Sequence, residues 1–219
     1  MKKFTTILLI TIGFISYGQE DVKKAPEVKD GDGPYPQLII RGVMLIDGTG
    51  APPIGPTDIV VKQNKIVSIQ TVGYPGVAIK PERRPKLEPG GKELNAEGMY
   101  LMPGFIDMHG HIGGDQAPIA EYVFKLWMAH GITTIRDPSA GNGLSWVLDQ
   151  KKKSTANLIT APRILAYTSF GQGSKERIST PEQAVAWVVE NKNKGADGIK
   201  FFGAAPQIID AALDRKSVV

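Results

Sequence analysis

The alternation of strand-like and helix-like segments in the second half of the chain constrains its fold most. After Gly104, short segments such as "ITTIRD" and "PRILAY" alternate with longer segments of helical spacing, such as "PIAEYVFKLWMAHG". The third helical segment begins with Thr180 as a predicted N-cap and Pro181 in its first turn, and Gly195 closes it. Four strand–helix units of this kind predict a parallel sheet with helices packed on it.

The preceding part of the chain has a different pattern. Two alternating runs rich in β-branched residues, "LIIRGVMLIDGTG" and "DIVVKQNKIVSIQTVG", each end in turn residues. They predict at least two strands of a small sheet, and the proline-rich stretch after them predicts a loop.

The N-terminal residues are predicted to form a targeting segment. Residues 1–18 have a basic start and a short apolar stretch, which is typical of a secretory signal peptide, although an uncleaved anchor helix is the alternative. Residues 19–37 are polar and rich in Pro and Gly, so we expect a flexible linker. Both features predict an exported protein, periplasmic or extracellular, with no stable membrane anchor after cleavage.

Charge and cysteine content narrow the functional classes. The formal charge of +4 falls to about +2 once Lys2 and Lys3 leave with the signal segment, so we expect no nucleic-acid partner. The absence of cysteine means that an exported fold of this sequence needs no disulfide.

Two of the three histidines, His109 and His111, lie one residue apart after a Pro-Gly turn. On a strand they would share one face with Asp107, while Gly110 would point the other way and leave room for close packing. Two imidazoles on one face can bind a divalent metal in a fixed geometry. An isolated pair is more often two hydrogen-bonded histidines, so the surrounding sequence has to decide between these interpretations.

That surrounding sequence resembles the metal-dependent amidohydrolase superfamily, in its imidazolonepropionase-like and prolidase-like branch. "PGFIDMHGH" resembles the signature "PGxIDxHxH", "HGITTIRD" resembles the second barrel strand, and "GADGIK" resembles the fourth strand, with Lys200 at the place of a lysine. The resemblance extends from about Leu38 to Gly203. It implies an α/β fold in which residues 38–103 form an N-terminal β-sandwich segment. Residues 104–219 would then form the first half of a TIM (β/α)8 barrel, truncated at its end.

The resemblance also implies roles for individual residues. His109, His111 and Lys200 would be ligands of one or two divalent metal ions, usually zinc, with Lys200 carboxylated. Asp107 would not bind the metal directly; it would either contact the metal-binding residues or stabilise the local fold. Arg136 and Asp137, at the carboxyl end of the second strand, would either contact substrate or form an ion pair at the rim. His130, at a helix end, is predicted to be structural.

The implied activity is hydrolysis of an amide or cyclic amide carbon–nitrogen bond by metal-activated water, on a small-molecule or dipeptide-like substrate. The family takes two more histidines and a proton-shuttling aspartate from later strands, and no histidine follows His130. The catalytic aspartate is thus absent from this sequence, and we expect the 219-residue chain alone to bind metal weakly and to have no turnover. The sequence is also compatible with a homo-oligomer.

Two other interpretations compete with this one. The chain could be a non-catalytic binding or structural module derived from the same fold. The third interpretation is another hydrolase with a His-x-His motif. The metallo-β-lactamase pattern His-x-His-x-Asp-His does not fit, because Gly113 stands where that pattern has aspartate.

Overall fold

The computed structural model describes residues 32–113 and 119–214. The predicted signal peptide at residues 1–18 lies outside the described residues, as does the predicted linker up to residue 31. Within the described ranges, no helix is both long enough and apolar enough to cross a membrane.

The first strands form one mixed sheet around a central strand. Strand β1 (Gln37–Leu45) pairs antiparallel with β2 (Ile54–Lys62), which pairs antiparallel with β3 (Lys65–Thr71). On its other side, β1 runs parallel to β4 (Lys92–Asn95) and β5 (Tyr100–Leu101). The predicted small sheet is therefore confirmed. Among the described residues these five strands form a single sheet, so the β-sandwich stays a prediction.

An irregularity in β1 is fixed by a buried carboxylate. The register between β1 and β2 shifts after Ile40, and Gly42 there has a φ of 75°. The amide of Gly42 donates to Oδ1 of Asp58 at 2.8 Å, and a side chain at position 42 would collide with that of Glu97. Glycine is therefore required at this position both by the backbone conformation and by the space available.

Asp58 has no solvent exposure and is held by two arginines. Nη1 of Arg41 donates to Oδ2 at 2.9 Å, and Arg84 binds both carboxylate oxygens, at 3.0 and 2.9 Å. Arg84 lies just after a single turn of 3₁₀ helix (Pro81–Arg83), the only helical turn in the stretch predicted as a loop. The ion pairs thus attach this loop to the sheet.

The second half of the described chain is a strand–helix repeat, as predicted. Its four strands run parallel in sequence order, and each is followed by a helix. The elements are β6 (Phe105–Asp107), α1 (Ala120–Ala129), β7 (Ile132–Asp137), α2 (Leu144–Thr155), β8 (Arg163–Ser169), α3 (Pro181–Lys194), β9 (Gly198–Lys200) and α4 (Pro206–Leu213).

One face of this parallel sheet packs on helices. Alternate residues of the central strands, Ile135 on β7 and Ile164 and Ala166 on β8, are buried against Phe124 of α1 and Val147 of α2. Residues between them, such as Arg136 and Tyr167, are only partly buried. Side chains that alternate along the strands therefore lie in turn on a helix-covered face and on an open face of the sheet.

The helix ends follow the signals in the sequence. Thr180 caps α3 through its side chain, Gln183 completes a capping box, and Pro181 occupies the first turn. Gly195 ends the helix in the left-handed conformation with a φ of 101°. At the end of α2, Nζ of Lys151 lies 2.6 Å from both carboxylate oxygens of Asp197, which also accepts the amide of Ala166.

Candidate metal centre

Neither of the two neighbouring histidines lies on a strand, which corrects the sequence prediction: His109 is in a turn, and His111 follows it in an irregular segment. Strand β6 ends at Asp107, whose Oδ1 accepts the amide of His109 at 2.9 Å. In a continuing strand the His109 amide would donate to the adjacent strand. Because it donates to the Asp107 carboxylate instead, the strand ends and the chain turns at Met108 and His109. Asp107 is therefore a local structural residue in this geometry.

The chain returns to the neighbouring strand immediately after this turn. The amide of Gly110 donates to the carbonyl of Arg136 on β7 at 3.1 Å. A Cβ on Gly110 would lie 2.8 Å from the Trp127 ring on α1, so this position permits the close packing that the sequence predicted. His109 and His111 are thus held on either side of a residue that is pressed against a helix.

The three predicted metal ligands lie together despite their distance in sequence. The rings of His109 and His111 have centroids 5.1 Å apart and are inclined by 68°. Nζ of Lys200, the last residue of β9, lies 3.5 Å from Nε2 of His109 and 4.6 Å from the centroid of the Phe202 ring. The carboxyl ends of the first and fourth parallel strands therefore contribute to one cluster.

Asp137 lies behind this cluster, on the helix-covered face. Its side chain has no exposure, and Oδ1 accepts the amides of Ser139 and Ala140, each at 3.3 Å, and lies 3.8 Å from Nδ1 of His111. Within the described residues, Oδ2 is buried without a hydrogen-bond partner. Burial raises the pKa of Asp137, while the amides of Ser139 and Ala140, the nearby His111 ring and the amide of Ile112 oppose that rise.

Arg136 lies on the open face and braces the histidine turn. Its Nε donates to the carbonyl of Met108 at 2.7 Å, and its guanidinium lies 5.1 Å from the centroid of the Tyr167 ring. Among the described residues it forms no ion pair, so the rim ion pair considered from sequence is not seen there. Whether it contacts substrate stays a prediction.

His130 is separate from the cluster. It forms the C-cap of α1, and its Nδ1 lies 2.7 Å from the carbonyl of Leu126. This is the helix-end position that the sequence predicted for it.

Two residues near the strand ends were not singled out from the sequence. Oγ of Ser139 lies 3.2 Å from Nδ1 of His111. Gln172 donates from Nε2 to the carbonyl of Ala140 and accepts from the Thr168 hydroxyl through Oε1, both at 2.8 Å. The "DPSA" turn signal could have identified Ser139, whereas Gln172 lies in a loop without a distinctive motif.

The donors of this cluster suit a borderline divalent cation. Two imidazoles and a lysine nitrogen converge there, and imidazole binds zinc, iron, nickel and copper ions. Across residues 32–113 and 119–214, no group of three or more His, Cys, Asp or Glu side chains is arranged to hold a metal ion. The lysine would therefore have to supply the third ligand.

Two cavities of the described chain lie away from this cluster. A cavity of about 640 Å³ lies beside the first sheet, lined by Arg41, Arg84 and Glu97 among others. Another of about 410 Å³ lies beside the loops after β8 and β9, lined by Phe170, Arg177 and Ile208 among others. The arginines of the first cavity are already paired with carboxylates, so the convergence of ligand-type side chains is the better guide to a site.

No protein-family model matches the chain. Among curated proteins, it is 28% identical over 145 residues to an N-acyl-D-aspartate deacylase of Alcaligenes xylosoxydans xylosoxydans, covering 66% of this chain and 26% of the deacylase. It is 37% identical over 76 residues to an adenine deaminase of Bacillus velezensis, covering 32% of this chain and 13% of the deaminase. The chain thus spans about a quarter or less of these relatives.

Among solved structures, the fold is similar to that of a prolidase complexed with N-methylphosphonate-L-proline. The TM-score is 0.63 at 17% identity, over 83% of this chain and 53% of the prolidase chain. At this identity the likeness concerns the fold alone. The mixed sheet and the curled parallel sheet together correspond to about half of such a structure.

Proposed function

We propose that this chain is the N-terminal part of an enzyme that hydrolyses carbon–nitrogen bonds. Its relatives in sequence and its neighbours in fold bear out the resemblance to the metal-dependent amidohydrolase superfamily. In this proposal the parallel sheet is the first half of a (β/α)8 barrel, and the mixed sheet belongs to a β-sandwich segment. The relatives named above support the reaction class, since both are named for removing an acyl or an amino group.

The observation that carries the proposal is the meeting of His109, His111 and Lys200 at the ends of two strands. In barrels of this type the reactive groups gather at the carboxyl ends of the strands. Nζ of Lys200 approaches Nε2 of His109 to 3.5 Å, although nothing in the local sequence of either residue requires it. This cluster is the proposed metal centre, and we expect zinc to occupy it.

The histidines would hold the cation through neutral ring nitrogens. Lys200 would act through its neutral amine, whose lone pair forms a bond to the carbon of carbon dioxide. One carbon–oxygen double bond becomes a carboxylate oxygen, and the nitrogen loses a proton to solvent. The resulting carbamate carries a negative charge and offers oxygen ligands in place of a cationic ammonium.

A divalent cation in this centre supplies Lewis acidity, which polarises a carbonyl and lowers the pKa of a bound water toward neutrality. The described residues fix the geometry around it. Asp107 sets the turn that carries His109, and Arg136 holds the Met108 carbonyl in that same turn. A small acyl-amino-acid or dipeptide-like substrate fits this chemistry.

In this proposal the remaining ligands and the proton-shuttling aspartate come from later strands of the barrel. We therefore propose that the chain alone binds zinc weakly and does not turn over substrate. We also propose that residues 1–18 direct export to the periplasm or the cell exterior, which rests on the sequence pattern of that segment.

The test begins with the native protein from its source. We expect a mass of about twice the 23.6 kDa of this chain, an N-terminus near Gln19, and hydrolysis of N-acyl amino acids or dipeptides that a chelator abolishes and zinc restores. His109→Ala should abolish that hydrolysis, and His130→Ala should preserve it. A native product slightly below 23.6 kDa without hydrolysis would instead favour the non-catalytic module.

A further inference from the structure

Asp137 combines full burial, an unsatisfied oxygen and a neighbouring imidazole. A buried carboxylate oxygen without a protein partner is costly, so its presence at one position calls for a specific explanation. Within the described residues, Oδ2 of Asp137 has no partner, while Oδ1 lies 3.8 Å from Nδ1 of His111. At 3.8 Å the pair is an electrostatic contact and not a hydrogen bond, and it places the buried carboxylate next to one ring nitrogen of a predicted metal ligand.

We propose that Asp137 is a positioning residue that holds His111 in the tautomer with the proton on Nδ1, so that Nε2 is the ring nitrogen offered to a cation. This inference rests on the proposed metal centre and deepens it. The hydrogen bond at one ring nitrogen determines which nitrogen can bind a metal.

Two oxygen atoms lie near Nδ1 of His111, one from Ser139 and one from Asp137, and only the Asp137 carboxylate can select a tautomer. Ser139 lies closer, with Oγ at 3.2 Å, but a hydroxyl both donates and accepts and therefore selects no tautomer. An ionised carboxylate only accepts, so it favours an N–H at Nδ1. Ser139 and Asp137 share a turn, and the amide of Ser139 donates to Oδ1 of Asp137, which holds the carboxylate in place near Nδ1 of His111.

The placement of Asp137 argues against a direct role as ligand. It lies on the helix-covered face of β7, at the end of the strand, and its side chain has no exposure. The cluster of His109 and Lys200 is exposed or half-buried. His111 lies between these two environments, with 45% of its side chain exposed, and so connects the buried carboxylate to the open cluster.

The test is long-range ¹H–¹⁵N correlation of the histidine rings of the 219-residue protein, at about pH 8, where an ordinary histidine is neutral. Only three histidines are present, and His111→Gln assigns the signal. We expect His111 to carry its proton on Nδ1 in the wild type and in Ser139→Ala, and to lose that signature in Asp137→Ala. Asp149→Ala is the matched control, because Asp149 is exposed on α2, where it pairs with Lys153 and accepts from Nε2 of Gln150.

Zinc affinity, measured by competition with a chromophoric chelator, provides a second readout. We expect Asp137→Ala to weaken zinc binding about 10- to 100-fold and Asp149→Ala to leave it unchanged. A wild-type His111 with its proton on Nε2 would overturn the proposal without any variant, even if Asp137→Ala did not fold. A tautomer unchanged in a folded Asp137→Ala would overturn it as well.

The two readouts also separate this inference from the proposed function. If zinc binding depends on His109 but the His111 tautomer does not depend on Asp137, the positioning role is wrong and the metal centre stands. If the tautomer depends on Asp137 but the wild type binds no zinc, the orienting contact stands and the metal centre is wrong.

Discussion

Nζ of Lys200 lies 3.5 Å from Nε2 of His109, although 91 residues separate them in the sequence. A lysine ammonium at this distance can donate to a neutral Nε2 and would then occupy the lone pair that a metal ion needs, so the ammonium and a metal ion compete for the same nitrogen. A carbamate on Lys200 would resolve the conflict by replacing a cation with an anion. This relationship makes the lysine the most informative residue to change.

Replacing Lys200 should weaken zinc binding and remove its dependence on carbon dioxide. Because Lys200→Met keeps the length of the side chain but cannot form a carbamate, we expect zinc affinity to fall at least about tenfold. Added bicarbonate should strengthen zinc binding by the wild type and leave Lys200→Met unaffected. Calorimetric zinc titrations with and without bicarbonate measure both effects.

Lys194→Met is the matched control for this substitution. Lys194 forms an exposed pair with Glu190 on α3, away from the cluster, so its loss should change neither the affinity nor the bicarbonate response. Equal zinc affinity in wild type and Lys200→Met would remove the lysine from the proposed centre.

Gly110 should not tolerate even one added methyl group. A Cβ there would lie 2.8 Å from the Trp127 ring, which is itself packed on the helix-covered core. We expect Gly110→Ala to lower the free energy of unfolding by about 1–3 kcal/mol, as overpacking does, and to weaken zinc binding by displacing both histidines. Urea unfolding and zinc titration of the same sample provide the two values.

Gly73→Ala is the control for that experiment. The methyl added at Gly73 would meet only ordinary contacts, at 3.4 Å from Ile79 and 3.5 Å from Pro56. Its effect on stability should stay within about 0.5 kcal/mol. A Gly110→Ala protein as stable as Gly73→Ala would contradict the close packing of the histidine turn on α1.

Asp58 should make stability depend on pH in the acid range. Burial raises the pKa of Asp58, but hydrogen bonds from Arg84, Arg41 and the Gly42 amide outweigh that effect, and the net pKa lies below the ordinary value of 3.8. A depressed pKa in the folded state stabilises the fold above the unfolded pKa, and this contribution is lost as the pH falls through the folded value. The expected loss therefore lies below about pH 4.

Urea unfolding between about pH 6 and pH 3 tests this expectation. We expect the free energy of unfolding to fall with acidification in the wild type and more weakly in Asp58→Asn. That variant should also lose on the order of 3 kcal/mol at neutral pH, because it removes the buried anion that Arg41 and Arg84 share and leaves them only the exposed Glu93 and Glu97. Asp149→Asn, on an exposed helix surface, should keep the wild-type slope, and equal slopes in all three proteins would contradict the role of Asp58.

The elements of the fold were predictable where local signals agree with the tertiary structure. The capping box at Thr180, the closing Gly195 and the alternation along β7 and β8 each need only neighbouring residues, and all are found. The turn at Met108 and His109 was missed because a strand-like pattern continues through it. The Asp107 carboxylate ends the strand there, and a side-chain hydrogen bond of this kind leaves no periodic signal.

The site was only partly predictable for a similar reason. The histidine pair and Lys200 were identified by motif, but their approach depends on the register of four parallel strands. The contact between His111 and Asp137, and the burial of Oδ2, depend on how the loop after β7 packs beneath the ring. Spacing along the sequence carries no information about such contacts.

The most direct test of the central claim is a zinc titration of the purified 219-residue protein, followed by calorimetry, with His109→Ala, His111→Ala and His130→Ala in parallel. The proposed centre predicts weak but saturable zinc binding that is lost in His109→Ala and His111→Ala and retained in His130→Ala, since His130 only caps α1. Zinc binding that is absent in the wild type, or that is equally strong in all four proteins, would contradict it.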